Sequence, residues 1–274
     1  MTNISTIVNL SYIVAAILFI VGIKMLGKAD TAKRGNLLSA VGMLLAMIVT
    51  LLSKGLSYPL IIVGLAMGGA VGFVAAKRVQ MTGMPELVAL FNGFGGLASL
   101  LVGLAEYYRA KMSNNLLESV LIEELNSFTA TVIVLAILIG GITFTGSIYA
   151  WGKLSGKLGG RALTFTGQKA FNALLALGII AAGILFSSSP ATELAHAVLI
   201  TVLILSLLLG IFAVMPIGGG DMPVVISLLN SCSGLAACAA GFVINNNVLV
   251  VAGCLVGASG LILTVIMCKA MNRT

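Results

Sequence analysis

Charged residues are scarce in this sequence. Asp, Glu, Lys and Arg make up 8% of its 274 residues, whereas 59% of the residues are hydrophobic. Soluble domains carry about 25% charged residues, so this composition excludes a soluble protein of this length. The mean hydropathy of +1.16 instead indicates a chain that lies largely within a membrane.

Residues that commonly form metal centres, disulfides and titrating sites are also few. His196 is the only histidine, and its place near the outer end of a predicted helix favours a solvated or interfacial position over a proton-carrying role. The cysteines show no C-x-x-C spacing, so we interpret them as small buried apolar side chains, neither disulfides nor metal ligands. They are Cys232, Cys238, Cys254 and Cys268. Residues 93–98 match a dinucleotide fingerprint, but they lie inside an apolar run and follow no strand, which excludes that role.

Nine continuous apolar runs are long enough to cross a bilayer as helices. They predict an all-α polytopic membrane protein: a bundle of about nine transmembrane helices in a single transmembrane domain over residues 1–274. The connections are too short to form a further domain. The predicted spans are 4–23, 36–53, 58–76, 85–105, 126–150, 170–187, 194–214, 222–243 and 247–268.

The basic residues fall mainly on one side of this predicted bundle. Twelve lie in the connections of one side and three, Lys54, Arg109 and Lys111, in those of the other. The basic side is predicted to be cytoplasmic, so the N-terminus lies outside and the C-terminus in the cytoplasm. Because the basic residues are spread over loops, the net charge of +7 indicates no nucleic-acid partner. The twelve are Lys24, Lys28, Lys33, Arg34, Lys77, Arg78, Lys153, Lys157, Arg161, Lys169, Lys269 and Arg273.

One helical passage occurs twice. MPELVALFNGFGGLASLLVG begins at Met84, and MPVVISLLNSCSGLAACAAG begins at Met222. Asn92 and Asn230 lie at the same position in the two passages, about 12 Å along each helix. A carboxamide at that depth in lipid is costly unless it faces protein or water. The pair therefore predicts a weak parallel repeat, spans three to five against seven to nine, around a polar interior.

Each twin helix also carries a stripe of small and polar residues at helical spacing. The first stripe is Ala89, Asn92, Gly96, Ser99 and Gly103, and the second is Ser227, Asn230, Gly234, Cys238 and Gly241. Such a stripe either joins neighbouring helices through hydrogen bonds or lines a narrow aqueous path. The matched asparagines favour the path. Thr145-Gly146-Ser147 and Ser259-Gly260 provide a small-residue turn in the helix after each twin.

Asp221 stands at the start of the second twin helix. It follows Gly218-Gly219-Gly220 and precedes Met222-Pro223, which is typical of an N-cap. Capping alone does not require three glycines, which indicate a flexible or closely approached backbone. A cap alone, and a cap that also contacts a partner domain, both remain open.

Five motifs extend over essentially the whole chain: YIVAAILFI, MTGMPELVALFN, ITFTGS, GGGDMPVVISLLNSCSG and IMCKAMNR. Together they resemble the membrane portion of the beta subunit of proton-translocating NAD(P) transhydrogenase. The resemblance implies inward proton movement coupled to hydride transfer from NADH to NADP at soluble domains. It also implies that an NADP-binding domain follows residue 274, so that this fragment holds no catalytic residue and binds no cofactor, while the full enzyme uses NADP(H) and NAD(H).

The resemblance also assigns residues and partners. It places Asn92, Ser147, Asn230, Ser259 and Gly260 on the proton path, and Asp221, Lys269 and Arg273 at the contact with the NADP-binding domain. The implied partners are the alpha-subunit transmembrane helices, the soluble NADP-binding and NAD-binding domains and the lipid bilayer. The implied assembly is a dimer of the full enzyme in the bacterial inner membrane.

One residue departs from the family pattern. Many members have histidine at the position of Asn92, and an amide does not take up a proton as imidazole does. The titrating group must then lie elsewhere, such as a histidine on the alpha-side helices, or a water chain must serve. A secondary transporter or channel for a small solute or ion is the alternative function, because parallel repeats with polar residues at mid-membrane fit that class too.

We expect the variants Lys157→Cys and Asn115→Cys to be labelled from opposite sides of the membrane, because the basic-residue asymmetry places position 157 in the cytoplasm. In a background without the native cysteines, an impermeant maleimide added to intact cells should label position 115 and spare position 157. Inverted vesicles should give the reverse. The opposite pattern in both preparations would invert the predicted orientation.

Overall fold

The computed structural model of the protein describes residues 2–52, 56–116, 126–190 and 194–272. Within these ranges the chain forms nine α-helices and no strand, and each of the nine is long and apolar enough to cross a membrane. This confirms the predicted all-α class. The helices are α1 (Thr2–Leu26), α2 (Ala29–Leu51), α3 (Tyr58–Arg78), α4 (Met84–Leu116), α5 (Ser127–Leu154), α6 (Gln168–Ser188), α7 (Leu194–Val214), α8 (Met222–Val243) and α9 (Asn247–Ala270), with 3-10 turns at Met81–Gly83 and Gly219–Asp221.

The helix α4 is longer than its apolar run predicted, because it continues past residue 105 to Leu116. This extension carries Glu106 and Arg109, whose side chains form an ion pair one turn apart. Such pairs stabilise a helix in water. The predicted boundary therefore marks the end of the apolar sequence and not the end of the helix.

The chain divides into two compact units, residues 1–79 and 80–274. In the first unit, α1 packs along α2 because glycines let the two backbones approach. A Cβ atom added at Gly35 would lie 2.7 Å from the carbonyl oxygen of Gly22. Farther along the pair, the Tyr12 hydroxyl lies 3.0 Å from Thr50 Oγ1. Close backbone approach and interhelical hydrogen bonds are the contacts that join helices in lipid.

The glycines of α3 do not pack in the way their spacing suggests. Cβ atoms added at Gly64, Gly68 and Gly72 would meet no neighbouring atom within 4 Å among the described residues. The same helix has no buried residue. Small residues at this spacing often let two helices approach closely, but these glycines form no such contact within the part of the chain that the structure describes.

In the second unit, α5 is the central helix. It contacts α4, α6, α7 and α8, whereas α9 packs on α8. Two apolar clusters lie along it. One includes Ile133 and Ile137 with Leu199 of α7, and the other includes Ala150 with Leu229 of α8. Each of the other helices of this unit therefore contacts α5 or α8.

The repeated passages pack in the same way in the structure. A Cβ atom at Gly96 of α4 would lie 2.8 Å from the carbonyl oxygen of Gly140 on α5. At the matching position of α8, a Cβ atom at Gly234 would lie 2.9 Å from the carbonyl oxygen of Gly253 on α9. In both pairs, backbone touches backbone where the glycines cross.

The next shared glycine repeats this match. A Cβ atom at Gly103 would lie 3.1 Å from Ile137 Cγ1, and one at Gly241 would lie 2.9 Å from Val250 Cγ2. One shift in numbering relates α4 to α8 at both contacts, and a second, smaller shift relates α5 to α9 at both contacts. The repeat is a repeat of packed helix pairs and not only of sequence.

We expect Gly96→Ala to destabilise the protein and Gly95→Ala to leave it stable. At position 96 the new Cβ would also lie 3.0 Å from the backbone nitrogen of Phe144, whereas at position 95 it would meet nothing within 4 Å. Overpacking costs about 1–3 kcal/mol, and alanine at an open helical position is favourable by up to about 1 kcal/mol. Thermal unfolding of the purified chain in detergent would measure both. Equal melting temperatures would show that the α4–α5 crossing does not limit stability.

Candidate polar site between α4, α5 and α8

Three polar side chains from three helices meet in a buried junction. Asn92 on α4 donates from Nδ2 to Ser147 Oγ on α5 over 2.9 Å. Its Oδ1 accepts a hydrogen bond from Ser233 Oγ on α8 over 2.7 Å. Asn92 is 9% exposed and Ser147 is 1% exposed. These three residues, which we call the Asn92 junction, use one donor and one acceptor of the amide inside the protein.

The small-residue turn of α5 lies beside this junction and contacts three neighbouring helices. Thr145 donates to the carbonyl oxygen of Leu207 on α7 over 2.7 Å. A Cβ atom at Gly146 would lie 3.2 Å from Leu229 Cδ2 on α8. Ser147 then turns toward α4 and Asn92. One turn of α5 therefore sets the positions of three other helices around the site.

Ser233 joins α8 to the junction, and the sequence patterns did not predict this role. Its hydroxyl lies 2.7 Å from Asn92 Oδ1 and 2.9 Å from the main-chain oxygen of Asn230. A hydroxyl has one proton to donate, so it serves these two acceptors in turn. Ser233 follows Asn230 by three residues, so both lie on one side of α8. This spacing could have identified Ser233 from the sequence.

Asn230 differs from Asn92 in its hydrogen bonds. It is half-buried, and within the described residues its side-chain amide makes no hydrogen bond. The amide keeps two N–H donors and an acceptor oxygen available. The two matched asparagines are therefore not equivalent: the side chain of one is bonded within the protein, and that of the other makes no hydrogen bond within the described residues.

A change in one pair of positions explains this difference. In the first helix pair, Gly93 lies against Ser147, with a Cβ atom at Gly93 placed 3.3 Å from Ser147 Cβ. In the second pair the serine and glycine have exchanged helices, and a Cβ atom at Gly260 would lie 2.9 Å from Ser231 Cβ. Gly260 therefore stands at the position of α9 that corresponds to Ser147 of α5, and it offers no hydroxyl there.

Most of the stripe predicted on α8 packs against α9. Ser231 Oγ donates to the carbonyl oxygen of Gly257 over 2.5 Å, and Thr264 Oγ1 donates to Ser227 Oγ over 3.1 Å. Ser227 Oγ in turn donates to the carbonyl oxygen of Gly260 over 3.3 Å. On this face of α8, the polar residues form interhelical hydrogen bonds.

Ser259 and Gly260 lie on α9, outside the Asn92 junction. The half-buried Ser259 donates to Val256 of its own helix over 3.1 Å, and Gly260 is buried against α8. The structure thus joins Asn92 and Ser147 directly and reaches Asn230 through Ser233. It places Ser259 and Gly260 on the far side of α8.

The cysteines and the histidine lie apart from this site. Cys238 is buried, but the prediction of burial is wrong for Cys254, which is exposed because α9 is covered mainly by α8. Their Sγ atoms lie 3.2 Å apart. His196 is half-buried, with Nδ1 3.5 Å from the Tyr108 hydroxyl. No group of three or more metal-binding side chains occurs in the described ranges.

The segment before α8, residues 215–221, is here called the α7–α8 connection. Lys153 at the end of α5 donates from Nζ to the carbonyl oxygens of Met215 and Ile217, over 2.7 and 2.6 Å. The N–H of Gly219 donates to the carbonyl oxygen of Gly160 over 2.9 Å. The connection is thus held at both ends by α5 and the segment that follows it.

Two side chains of α6 complete the end of α7. Pro216 has no N–H, so the carbonyl of Phe212 lacks its usual helical donor. Gln168 Nε2 and Asn172 Nδ2 both donate to that carbonyl oxygen instead, over 3.1 and 3.2 Å. The backbone that leads to the connection is therefore held in place by neighbouring helices.

Asp221 occupies the predicted N-cap position of α8, but its side chain makes no capping hydrogen bond there. None of Gly218, Gly219 and Gly220 has a positive φ. Gly220 is exposed, and a Cβ atom added to it would meet nothing within 4 Å. Neither backbone conformation nor internal packing therefore requires glycine at position 220. Lys269 is exposed in the last turn of α9.

Arg273, the last of the predicted contact residues, lies outside the described residues.

Comparison with known proteins gives one consistent family. The family described as NAD(P) transhydrogenase beta subunit matches residues 8–274. The NAD(P) transhydrogenase subunit beta of Rhodospirillum rubrum is 41% identical over 270 residues, which cover 96% of this chain and 55% of the relative. A protein of the same name from a strain of that species matches with the same identity and coverage. The chain spans about half the length of the curated relatives it matches. It belongs to the NAD(P) transhydrogenase beta subunit family.

Proposed function

We propose that this chain is the proton-conducting membrane part of a NAD(P) transhydrogenase. It would couple inward proton movement to hydride transfer from NADH to NADP at soluble domains outside these 274 residues. The observation that carries the proposal is the family match over residues 8–274. The buried Asn92 junction in a multi-pass membrane protein supports it, because polar groups at that depth are costly unless they serve a function or bind one another.

The proposed proton path runs along α8, which carries Asn230. Asn92 of α4 and Ser147 of α5 lie on one side of this helix. Ser259 and Gly260 of α9 lie on its other side. Serine hydroxyls and carboxamides donate and accept at once, so they can hold a chain of water molecules in line. The unused donors and acceptor of Asn230 support such a chain. Neither asparagine titrates, so the proton passes along water or through a histidine supplied by the alpha-side helices.

The proposed assembly follows from the same family. Alpha-subunit transmembrane helices complete the bundle, and the soluble NADP-binding and NAD-binding domains supply the nucleotides. The full enzyme is a dimer in the bacterial inner membrane, with the N-terminus of this chain outside and its C-terminus in the cytoplasm. This fragment itself binds no cofactor.

Asn230→Leu in the full enzyme is expected to lower proton-coupled turnover at least tenfold. Leucine has the same branching and the same number of side-chain heavy atoms but offers no donor or acceptor to water, while the packing of α8 on α9 uses other residues. The measurement is proton uptake by reconstituted vesicles during hydride transfer, beside hydride exchange without net proton movement. The second rate, and the amount of enzyme in the membrane, should stay unchanged.

Asn9→Leu is the matched control, because it makes the same change at an exposed position of α1. Normal proton uptake by the Asn230→Leu enzyme would remove Asn230 from the path. A reconstituted wild-type enzyme that catalyses hydride transfer without proton uptake would overturn the proposed proton-conducting function.

We further propose that Asp221, Lys269 and Arg273 contact the NADP-binding domain. The exposed Gly220, whose missing side chain is explained by nothing inside the described chain, supports close approach of that domain beside Asp221. A coupling free energy between two sites is typically about 1–3 kcal/mol and needs contacts that differ between the two states. A charged residue at this contact would provide such a difference.

Asp221→Asn should weaken the effect of the proton gradient on NADP(H) affinity about 5–150-fold, which is the range of such a coupling. The melting temperature should change little, because asparagine keeps the shape of aspartate and is an equally favourable residue at a helix start. Asp30→Asn, at the start of α2, removes the same charge from another helix start and should have no effect on affinity. Loss of stability with unchanged nucleotide affinity would show a purely structural role for Asp221.

A further inference from the structure

Lys153 differs from the other basic residues that the structure describes. It is 3% exposed, and it is the only charged side chain among the buried residues of the described ranges. Lys157, four residues farther along, is exposed. A buried ammonium group is costly unless hydrogen bonds replace its water. The distribution of basic residues predicted that both lysines lie in solvated connections, but only Lys157 is exposed.

Two main-chain carbonyls replace that water. Lys153 Nζ donates to Met215 and Ile217 over 2.7 and 2.6 Å, which are short, charge-assisted hydrogen bonds. The ring centroid of Tyr149 lies 5.2 Å from the same nitrogen, within the range of a cation–π contact. Within the described residues, the partners of the ammonium group are neutral. Its charge is therefore stabilised by the dipoles of two main-chain carbonyls and by the aromatic ring.

These carbonyls are available because α7 ends just before them. The last carbonyls of a helix have no intrahelical donor and carry partial negative charge. α7 ends at Val214 and Pro216 prevents its continuation. Lys153, which belongs to α5, therefore caps α7 at Met215, the first residue after that helix, and also binds Ile217 in the connection.

The α7–α8 connection is bonded both to α5 and to the segment that follows α5. Besides Lys153, the segment after α5 bonds the connection twice: Leu163 N–H donates to Met215 over 3.2 Å, and Gly219 N–H donates to Gly160 over 2.9 Å. The connection ends at Asp221, where α8 begins. Its position is therefore determined by α5 as well as by the two helices it joins.

The helix α5 also contributes Ser147 to the Asn92 junction. Ser147 precedes Lys153 by six residues, about 9 Å along the same helix. Ser147 faces α4 and accepts the hydrogen bond from Asn92, whereas Lys153 faces the connection. One uninterrupted helix thus joins the polar junction to the segment that carries Asp221.

We propose that Lys153 is a positioning residue that fastens the α7–α8 connection to α5. A displacement of α5 at the Asn92 junction is then carried to Asp221, and a displacement of Asp221 is carried back to the junction. The inference rests on the proposed function, since it names the physical link between the proton path and the contact with the NADP-binding domain. A cap with no role in coupling would stabilise the fold to the same degree but would transmit nothing.

The test compares variants in the full enzyme reconstituted into vesicles. Lys153→Met keeps the length of the side chain and removes its donors, and Lys153→Arg keeps charge and donors. Lys157→Met makes the same chemical change at the exposed neighbour. Three quantities are measured: the melting temperature, hydride exchange without net proton movement, and proton-coupled turnover.

We expect Lys153→Met to lower the ratio of coupled turnover to hydride exchange at least tenfold. Lys153→Arg should restore most of that ratio, and Lys157→Met should leave it unchanged. A ratio for Lys153→Met equal to that of the wild type overturns the inference, even if the melting temperature falls, because the lysine is then only a cap.

A second variant covers a failure of Lys153→Met to assemble. Lys153→Gln keeps a polar head but is too short to reach both carbonyls, so it should lower the same ratio in a folded enzyme. If neither variant assembles, the role of Lys153 is structural and the inference is wrong. If the wild-type enzyme takes up no protons, the proposed function fails first and this inference with it, so the two failures are distinguishable.

Discussion

Backbone contact between helices is the constraint on which the second unit of this protein depends. In lipid, apolar side chains gain little by leaving their surroundings, so helices associate through close packing and interhelical hydrogen bonds. Gly96 opposite Gly140 and Gly234 opposite Gly253 allow two such contacts, one in each repeated helix pair. At this short distance, a serine or asparagine one turn away reaches the neighbouring helix. The polar junction is thus a consequence of glycine spacing as much as of the polar residues themselves.

The repeat is exact in packing but not in chemistry. Both pairs cross at matching glycines, yet the hydroxyl that bonds Asn92 is Ser147 of the second helix, while the corresponding place near Asn230 is Gly260. The serine of the second pair, Ser231, stands on the first helix and bonds across to α9. A duplicated scaffold thus holds one bonded amide and one amide with free donors.

The end of α5 links this scaffold to the segment before α8. Pro216 ends α7 and removes an N–H, and the resulting free carbonyls bind side chains from α5 and α6, among them Lys153 and Gln168. A connection held in this way moves with the helices that cap it. Gly219, in the triglycine that precedes Asp221, is therefore held by a neighbouring segment, whereas the sequence left a flexible and a closely approached backbone both open.

The sequence by itself determined the number and class of the helices, the repeat, the depth of Asn92 and Asn230, and the family, because apolar length and local motifs are properties of contiguous residues. It did not reveal that Ser233 joins Asn92 or that Lys153 is buried. Both depend on how helices far apart in the chain are rotated about their axes, and a basic residue near a helix end has the same local pattern whether it is solvated or caps a neighbour. Only the tertiary packing decided which of the two asparagines is satisfied, because the deciding hydroxyl of Ser147 lies 55 residues from Asn92 on another helix.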